Sequence, residues 1–257
     1  MALTPAIFFG HGSPMLTLSR NHYTNVWAEL GQKLPKPKAI VCISAHYFVP
    51  STEILISTSP RTIHDFGGFP QELYGIQYPA PGDPELARRI GEMLAPLQVD
   101  FTERWGYDHG TWTVLRHVYP DADVPIVVLS IDLRRPASHH HEIGRRLAAL
   151  REENVLIVGS GNLVHNLMRF DRRMDVPPYE WAATFDERVK ELIQGREFDG
   201  VVHYERLGRE AELSAPTPDH YLPLLYVLGA TTSEDSLSFP IEGIAGGSMS
   251  MRAVQVG

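Results

Sequence analysis

The sequence is short of cysteine, of positive charge and of long apolar runs, and each shortage excludes a class of protein. Its single cysteine, Cys42, lies in an apolar run that predicts an inert core thiol, and it leaves no disulfide and no paired-cysteine metal site. With 23 basic against 31 acidic residues the formal charge is −8, so we expect no nucleic-acid partner. No run approaches the ~18 apolar residues that span a bilayer, and the first residues lack the basic start of a signal peptide. We therefore expect a cytoplasmic protein with no membrane contact.

The chain also lacks several well-known catalytic signatures. His141 and Glu142 are followed by Arg145 where a zinc-protease helix needs its second histidine. The glycine pattern that begins at Gly159 ends in Val164, where a dinucleotide-binding fingerprint needs a third glycine. Neither a phosphate-binding loop nor the GxSxG turn of serine hydrolases occurs. Nucleotide binding and serine-hydrolase chemistry therefore have no support in the sequence.

What the sequence does have is a regular alternation of short apolar and longer amphipathic segments. The apolar segments predict strands over 6–9, 39–45, 53–57, 99–102, 125–131, 154–160 and 249–256. The amphipathic segments predict helices over 23–34, 84–97, 112–119, 137–151, 179–194 and 221–228. This pattern predicts an α/β fold, with one three-layer α/β/α domain over residues 1–257 and a mostly parallel or mixed central sheet.

Histidine is the abundant reactive residue, with 12 copies in the chain. His11, His46 and His165 follow predicted strands, and His220 stands just before a predicted helix. Because the carboxyl ends of strands meet at one edge of an α/β sheet, where ligands usually bind, we expect these four side chains to converge. Converging imidazoles suit a divalent transition metal. The alternative for each histidine taken singly is an ordinary hydrogen-bonded structural role.

Further histidines lie in loops or at the start of a predicted helix. His109 is in a loop after a predicted strand and is a candidate for the same pocket. His64 lies in the long loop 59–83, and loops of that length are usually functional. The aromatic residues of this loop either pack the loop or form a wall for a planar ligand; they are Phe66, Phe69, Tyr74 and Tyr78. The histidine run 139–141 predicts a solvated helix face.

Six blocks of residues, taken in order, resemble one family of enzymes. They are GHGSPM from Gly10, SAHY from Ser44, IHDFGGFP from Ile63, YDHGTW from Tyr107, GSGNLVHN from Gly159 and DHYLPL from Asp219. Together they are similar to the class III, LigB-type, extradiol ring-cleavage dioxygenases, and within these to the DOPA 4,5-dioxygenase branch. The resemblance covers nearly the whole chain and implies an α/β/α fold. It also implies the activity, which is the opening of a catechol ring with dioxygen to a semialdehyde.

The resemblance implies one divalent metal per chain, with Fe(II) for activity, although members of the family are often isolated with zinc. His11 and His46 resemble two of the family's metal ligands. His220 occupies the place of the third ligand, which is a glutamate in the wider family and a histidine in this branch. His165 resembles the catalytic base, with the alternative that it is a fourth metal ligand when no substrate is bound. His109 resembles a catalytic residue beside the substrate and dioxygen.

On the substrate side, we expect contacts from His64 and Tyr221 with the catechol; the alternative for His64 is a structural role in its loop. A carboxylate on the catechol side chain would need a basic partner, and the available residues are Arg61, Arg104 and Arg134. We expect a monomer or a small homo-oligomer. Two alternatives stay open: a zinc-dependent hydrolase, because three histidines and a water on zinc also suit hydrolysis, and a binding protein without activity.

Overall fold

A mixed sheet of eight strands forms the middle of the molecule in the computed structural model, which describes residues 3–257. Two further short strands pair with each other. In chain order the strands are β1 (Ala6–Gly10), β2 (Ala39–Val49), β3 (Glu53–Leu55), β4 (Asp100–Thr102), β5 (Ile126–Asp132), β6 (Val155–Gly161), β7 (Leu237–Ile241), β8 (Ile244–Ala245), β9 (Met249–Ser250) and β10 (Ala253–Val256). The predicted final strand is therefore divided into β9 and β10.

Helices cover both faces of the sheet. Within residues 3–257 they are α1 (His22–Lys33), α2 (Gln71–Tyr74), α3 (Pro84–Met93), α4 (His109–Val118), α5 (Ala137–Leu147), α6 (Glu180–Gln194), α7 (Phe198–Val202), α8 (Arg209–Ser214) and α9 (Leu222–Gly229). The start of α3 is a typical helix N-terminus. Asp83 caps it by accepting a hydrogen bond from the Leu86 N–H, and Pro84 occupies the first turn. None of the helices in this range is long and apolar enough to cross a membrane.

The strand order is β4-β3-β5-β2-β6-β1-β10-β7. The four strands β5, β2, β6 and β1 run parallel to one another, whereas β3 and β10 pair antiparallel with β5 and β1. The carboxyl ends of β2, β6 and β1 therefore lie side by side at one edge of the sheet. This arrangement confirms the predicted mostly parallel or mixed sheet, and it provides the edge at which α/β proteins bind ligands.

Successive residues of the central strands enter two different cores. Val41 and Ile43 of β2 face a core that includes α3, α5, α6 and α9, whereas Ile40 and Cys42 face a core that includes α1 and α4. This alternation is the period of two that a strand buried on both faces shows, and it confirms the three-layer fold. Burial raises the pKa of the Cys42 thiol to about 12, as befits an inert core residue.

Some element boundaries differ from the predicted ones where site residues lie. β2 continues past its predicted end to Val49, so His46 lies inside the strand, where the register against β5 shifts. α4 begins at His109, so that histidine opens a helix and does not lie in a loop. The helices α7 and α8 and the strand β7 have no counterpart in the prediction, because five or six residues are too few to show a periodic pattern.

The histidine run 139–141 does not form the solvated face that its sequence predicts. His140 is fully buried, and its Nδ1 lies 2.8 Å from the hydroxyl of Tyr226 in α9. The Nε2 atoms of all three histidines are buried without a hydrogen-bond partner in the described part of the chain. The prediction is wrong because α9 packs against α5 and covers this side of the helix.

Candidate metal centre

Five histidine side chains converge at the carboxyl edge of the central strands. The imidazole centroid of His11 lies 5.1 Å from that of His46, 5.5 Å from that of His109 and 5.2 Å from that of His220. His46 and His109 are closer to each other, at 3.9 Å, and His165 stacks in parallel on His220 at 3.5 Å. The structure thus brings together all five histidines to which the sequence assigns a metal or catalytic role.

Each histidine reaches the cluster from a different element. His11 follows β1, His46 belongs to β2 and His165 follows β6. His109 opens α4, and His220 lies just before α9. Because α4 and α9 contribute to cores on opposite faces of the sheet, the cluster closes over the strand ends from both sides.

A glycine lets the His220 segment approach β6 closely. The Asn162 N–H donates to the His220 carbonyl at 2.9 Å, and a Cβ added to Gly161 would lie 2.1 Å from that same oxygen. Since the obstacle is backbone and not a movable side-chain end, no larger residue fits at position 161 without a shift of the chain. Gly161 therefore sets the distance at which His220 enters the cluster.

The hydrogen bonds of His11 fix which of its ring nitrogens carries the proton. Nδ1 lies 3.1 Å from the hydroxyl oxygen of Ser160, and that hydroxyl donates to the Gly110 carbonyl at 2.5 Å. Because the hydroxyl hydrogen is used on the carbonyl, the Ser160 oxygen accepts from His11, and Nδ1 carries the hydrogen. Nε2 of His11 is left with a free lone pair.

Carboxylates impose the same arrangement on two more histidines and lie against a third. Nδ1 of His109 donates to Asp65 Oδ2 at 2.9 Å, and Nδ1 of His220 donates to Asp219 Oδ2. A carboxylate only accepts hydrogen bonds, so Nε2 of both rings stays unprotonated. Nδ1 of His46 lies 3.1 Å from Asp65 Oδ2, within ion-pair distance. Carboxylate partners of this kind commonly hold metal-binding histidines in place.

The free Nε2 atoms fit a bound cation. Nε2 of His11, which carries no hydrogen, lies 3.2 Å from Nε2 of His46. Nε2 of His220 is buried and has no hydrogen-bond partner among residues 3–257. Two nitrogens that bind one zinc-sized ion at ~2.0–2.1 Å are separated by ~2.8–3.4 Å at octahedral or tetrahedral angles, which the observed pair matches. The separation and the donor chemistry therefore suit one divalent cation.

Burial favours the neutral form of four imidazoles of the cluster. Burial and the neighbouring histidines hold the pKa of both His11 and His220 well below the ordinary value. Burial also lowers the pKa of His46, and it lowers the pKa of His165 to about 4. For Asp65, burial alone would raise the pKa, but the hydrogen bonds that it accepts from His109 lower it to about 2. Neutral imidazoles beside an ionised carboxylate are the form that binds a metal cation.

Two groups of potential ligands lie in the cluster. In each group the ligand atoms are within 4.8 Å of one another; the first is His11, His46 and His109, and the second is His165, Asp219 and His220. The sequence-based ligand set takes two members from the first group and one from the second. Position alone thus offers both His109 and His220 as the third ligand beside His11 and His46.

The long loop predicted to be functional lies beside the cluster and carries an aromatic wall. Phe66 meets the ring of His109 edge-on at 5.6 Å. Phe69 and Tyr74 each lie 5.3 Å from Phe66. These three side chains, called the aromatic wall below, give the cluster an apolar side suited to a planar ring.

His64 supports this wall from the same loop. Its ring lies 5.8 Å from that of Phe66 and 5.7 Å from that of Trp112. Its Nε2 donates to the Ile76 carbonyl at 3.0 Å. His64 therefore lies one aromatic ring away from the metal cluster, and its direct contact with substrate stays a prediction.

Two tyrosines assigned to the substrate side point into the core instead. Tyr221 is fully buried, its hydroxyl donates to the Val201 carbonyl at 3.0 Å, and its ring packs on Tyr204 at 4.0 Å. Tyr78 is also buried, with its hydroxyl on two backbone carbonyls. The structure therefore does not bring Tyr221 or Tyr78 to the cluster, because both hydroxyls are used to satisfy buried backbone groups.

The candidate arginines have other partners as well. Arg61 donates to the Arg104 carbonyl at 3.0 Å, so these two residues lie together at the surface. Arg134 pairs with Asp132 at the end of β5. None of the three forms a hydrogen bond with the five histidines in the range that the structure describes.

Asp65 and Asp219 are the site residues that the sequence prediction missed. A signal was present, since each of the two aspartates is adjacent to a histidine in the sequence. For Asp65 that signal is misleading, because its partners are not the adjacent His64 but His46 and His109. Only the folded loop shows this connection.

Comparison with known proteins identifies the family. The profile described as the catalytic LigB subunit of aromatic ring-opening dioxygenase matches residues 6–248. The chain belongs to this family, and it is a ring-cleaving dioxygenase by class. Together with the histidine cluster, membership of the family implies a single metal at this site.

Individual relatives agree with the family. The chain is 53% identical to the 4,5-DOPA dioxygenase extradiol of Escherichia coli (strain K12), over 98% of this chain and 94% of that protein. It is 35% identical to the 4,5-DOPA dioxygenase extradiol of Beta vulgaris, over 95% of this chain and 92% of that protein. An uncharacterized protein from Escherichia coli K12 has a crystal structure similar to this fold, with a TM-score of 0.87 and 47% identity over 99% of this chain and 100% of that one. These relatives confirm the predicted branch and do not favour the zinc-dependent hydrolase.

Proposed function

We propose that this chain opens the ring of a DOPA-like catechol by 4,5-cleavage with dioxygen and releases a semialdehyde. The observation that carries the proposal is the cluster of histidine Nε2 atoms, in which His11 and His220 are freed by a hydrogen bond at Nδ1 and His46 has a carboxylate 3.1 Å from its Nδ1. The aromatic wall beside the cluster supports a planar aromatic substrate. The relatives named for 4,5-DOPA cleavage support the class of catechol.

In this proposal His11, His46 and His220 hold one divalent metal through their Nε2 atoms. The support for His220 as the third ligand is its buried Nε2, which has no other partner among the described residues. Bound Fe(II) would supply a centre that accepts catechol and dioxygen together and lets electrons pass between them, which zinc, having no redox change, does not. His109 then stays beside the metal ligands as a second catalytic histidine.

His165 is the proposed base toward the catechol. Burial lowers its pKa to about 4, so the imidazole is neutral near pH 7 and able to accept a proton. The negative charge of an ionising catechol would raise that pKa and strengthen the base as it acts. His165 accepts the proton of one catechol hydroxyl and later returns it to the dioxygen-derived oxygen that leaves when the O–O bond breaks. Its stacking on His220 places it next to the proposed third ligand.

Iron reconstitution tests the activity. Metal-free protein is loaded with Fe(II) without air, and air and L-DOPA are then added while oxygen uptake and visible absorbance are recorded. We expect equimolar consumption of oxygen and L-DOPA and a yellow product, and we expect the zinc-loaded protein to be inactive. A panel of catechols with and without an amino-acid side chain would define the substrate. Protein that holds iron and consumes no oxygen with any of these catechols would overturn the proposal.

A matched pair of variants tests the ligand set. His220→Ala and His109→Ala each remove one imidazole from the same cluster. We expect His220→Ala, like His11→Ala, to lose stoichiometric metal, whereas His109→Ala keeps it and loses turnover. Metal content after dialysis and zinc affinity by competition with a chromophoric chelator provide the measurement. Loss of metal from His109→Ala alone would assign His109 as the third ligand.

Other expectations from the sequence stay predictions. They are a single catalytic domain over residues 1–257, a cytoplasmic location, and a monomer or small homo-oligomer. Light scattering coupled to size-exclusion chromatography would measure the mass in solution.

A further inference from the structure

A single carboxylate oxygen joins two histidines of the cluster that have different proposed roles. Asp65 Oδ2 lies 3.1 Å from Nδ1 of His46 and 2.9 Å from Nδ1 of His109. The other oxygen of the same carboxylate, Oδ1, accepts the backbone N–H of His109 at 2.8 Å. Both hydrogen bonds that the structure gives this carboxylate are therefore with His109, and the same carboxylate lies against His46.

We propose that Asp65 is a positioning residue that sets the tautomer and the orientation of His109 and, through the 3.1 Å contact of the same carboxylate oxygen, holds the ring of His46 in place. The inference rests on the proposed function, since it assigns His46 as a metal ligand and His109 as a catalytic residue. It goes beyond that function because it makes the metal affinity and the activity of His109 depend on one side chain that contacts neither the metal nor the substrate.

The hydrogen-bond inventory shows why the carboxylate is needed. The imidazole N–H and the backbone N–H of His109 each donate to a different oxygen of Asp65, so its side chain must accept on both oxygens. An asparagine has one accepting oxygen and one donating NH2 group. If its oxygen faces the imidazole of His109, its NH2 opposes the backbone N–H; if its oxygen faces that N–H, its NH2 faces Nδ1 of His109. In the second orientation the ring of His109 is driven toward the tautomer with hydrogen on Nε2, and in both orientations the carboxylate charge beside Nδ1 of His46 is lost.

The other ligands of the proposed set do not share this partner. His11 donates to Ser160 and His220 contacts Asp219, so each has an acceptor of its own. Loss of Asp65 should therefore affect His46 and His109 directly and leave the Nδ1 hydrogen bonds of His11 and His220 in place. The side chain of Asp65 is only 16% exposed, which limits the access of a water molecule that would replace it.

Zinc affinity provides a readout that needs no catechol turnover. We expect Asp65→Asn to bind zinc ~10–100-fold more weakly than the unchanged protein, as is typical when an outer partner of a metal-binding histidine is removed. Asp65→Ala, which brings no opposing donor, is a second variant, and Asp65→Glu tests whether a carboxylate on a longer side chain restores affinity. Asp132→Asn is the matched control, because Asp132 is a buried carboxylate at the end of β5 that pairs with Arg134 and not with a histidine.

Imidazole NMR tests the tautomers directly. In the zinc-loaded protein, long-range proton–nitrogen correlation spectra should show His109 with its hydrogen on Nδ1. We expect this signal to shift toward the Nε2–H form in Asp65→Asn and to stay unchanged in Asp132→Asn. A role of Asp65 limited to loop stability would lower the unfolding temperature without changing this tautomer.

A double-mutant comparison tests the connection to His109. We expect Asp65→Asn and His109→Ala to lower turnover per bound iron, and the double variant to be no worse per bound iron than His109→Ala, because residues that act together are not additive. Unchanged zinc affinity and unchanged His109 tautomer in folded Asp65→Asn and Asp65→Ala would overturn the inference. Failure of the iron-loaded wild type to consume oxygen would instead overturn the proposed function, and it would leave the zinc and tautomer results to be judged on their own.

Discussion

His140 is a buried histidine outside the metal cluster, and it connects the stability of the protein to pH. Burial, followed by the neighbouring His139, lowers its pKa to about 4, against an ordinary value of 6.5. Between these values the unfolded chain binds a proton at this residue and the folded chain does not. The free energy of unfolding should therefore fall as the pH decreases from 6.5 to 4, by about 3 kcal/mol from this residue.

Chemical unfolding at several pH values measures this effect. We expect His140→Gln to be less stable than the unchanged protein at pH 7, because the contact with Tyr226 is altered, but to lose less stability on acidification. Both proteins should be compared with the same chelator present, so that metal release does not contribute. If the free energy of unfolding of both proteins changed equally with pH, the proposal that His140 is neutral in the folded protein would be wrong.

A substitution of His165 distinguishes the proposed base catalysis from metal binding. It stacks on His220 but is not a member of the proposed ligand set. We expect His165→Ala to keep stoichiometric iron and to lose turnover by ~10²–10⁴-fold, the usual contribution of a positioned acid or base. Metal analysis and oxygen uptake on the same sample measure both quantities. Full turnover in this variant would exclude His165 as the base.

At the scale of the element, the approach of the segment before α9 to β6 depends on close contacts at glycine, of which the contact at Gly161 is the one against His220. Gly161→Ala would place a Cβ 2.1 Å from the His220 carbonyl oxygen. We expect a loss of ~1–3 kcal/mol in the free energy of unfolding, as for other insertions into close packing, and a weaker affinity for zinc because His220 moves. Urea unfolding and chelator competition measure the two effects.

A glycine elsewhere in the site loops provides the control for this prediction. A Cβ added to Gly67 would have no heavy atom within 4 Å. Gly67→Ala should therefore leave both stability and zinc affinity nearly unchanged. Equal behaviour of the two alanine variants would show that the close contact at Gly161 does not position His220.

The elements of this fold differ in how far the sequence alone could predict them. The strands 39–45, 125–131 and 154–160 are recognisable because they are buried on both faces and hence apolar throughout. The continuation of β2 through His46 is not recognisable, because its register shift depends on pairing with β5. The burial of His140 depends in the same way on a helix more than 80 residues later in the chain.

The residues of the site also differ in how far the sequence alone could predict their positions. His11 and His46 follow predicted strands, and the rule that strand ends meet at one edge predicts from the sequence that the two side chains are close, although β2 continues past His46. Asp65 lies in a long loop without a periodic pattern, so neither its distance from His46 nor its contact with His109 follows from the sequence. The direction of the Tyr221 side chain does not follow from the sequence either, because it depends on the packing of its hydroxyl against the Val201 carbonyl.

At the scale of the whole molecule, the proposed metal joins parts of the chain that are distant in sequence. Its ligands come from the end of β1, from β2 and from the segment before α9, at positions 11, 46 and 220. These residues are together only in the folded state, so metal binding and folding must be linked.

Thermal unfolding with and without zinc tests this linkage. At a free zinc concentration 100 times the dissociation constant, the free energy of unfolding should rise by ~2.7 kcal/mol. For a chain of this size, this corresponds to a rise of ~5–10 °C in the unfolding temperature. His11→Ala should show no such shift, whereas His140→Gln, which alters a buried histidine outside the cluster, should keep it. A shift that survives in His11→Ala would mean that zinc stabilises the protein from another place, such as the histidine run 139–141, and not by closing the sheet edge at which β1, β2 and α9 meet.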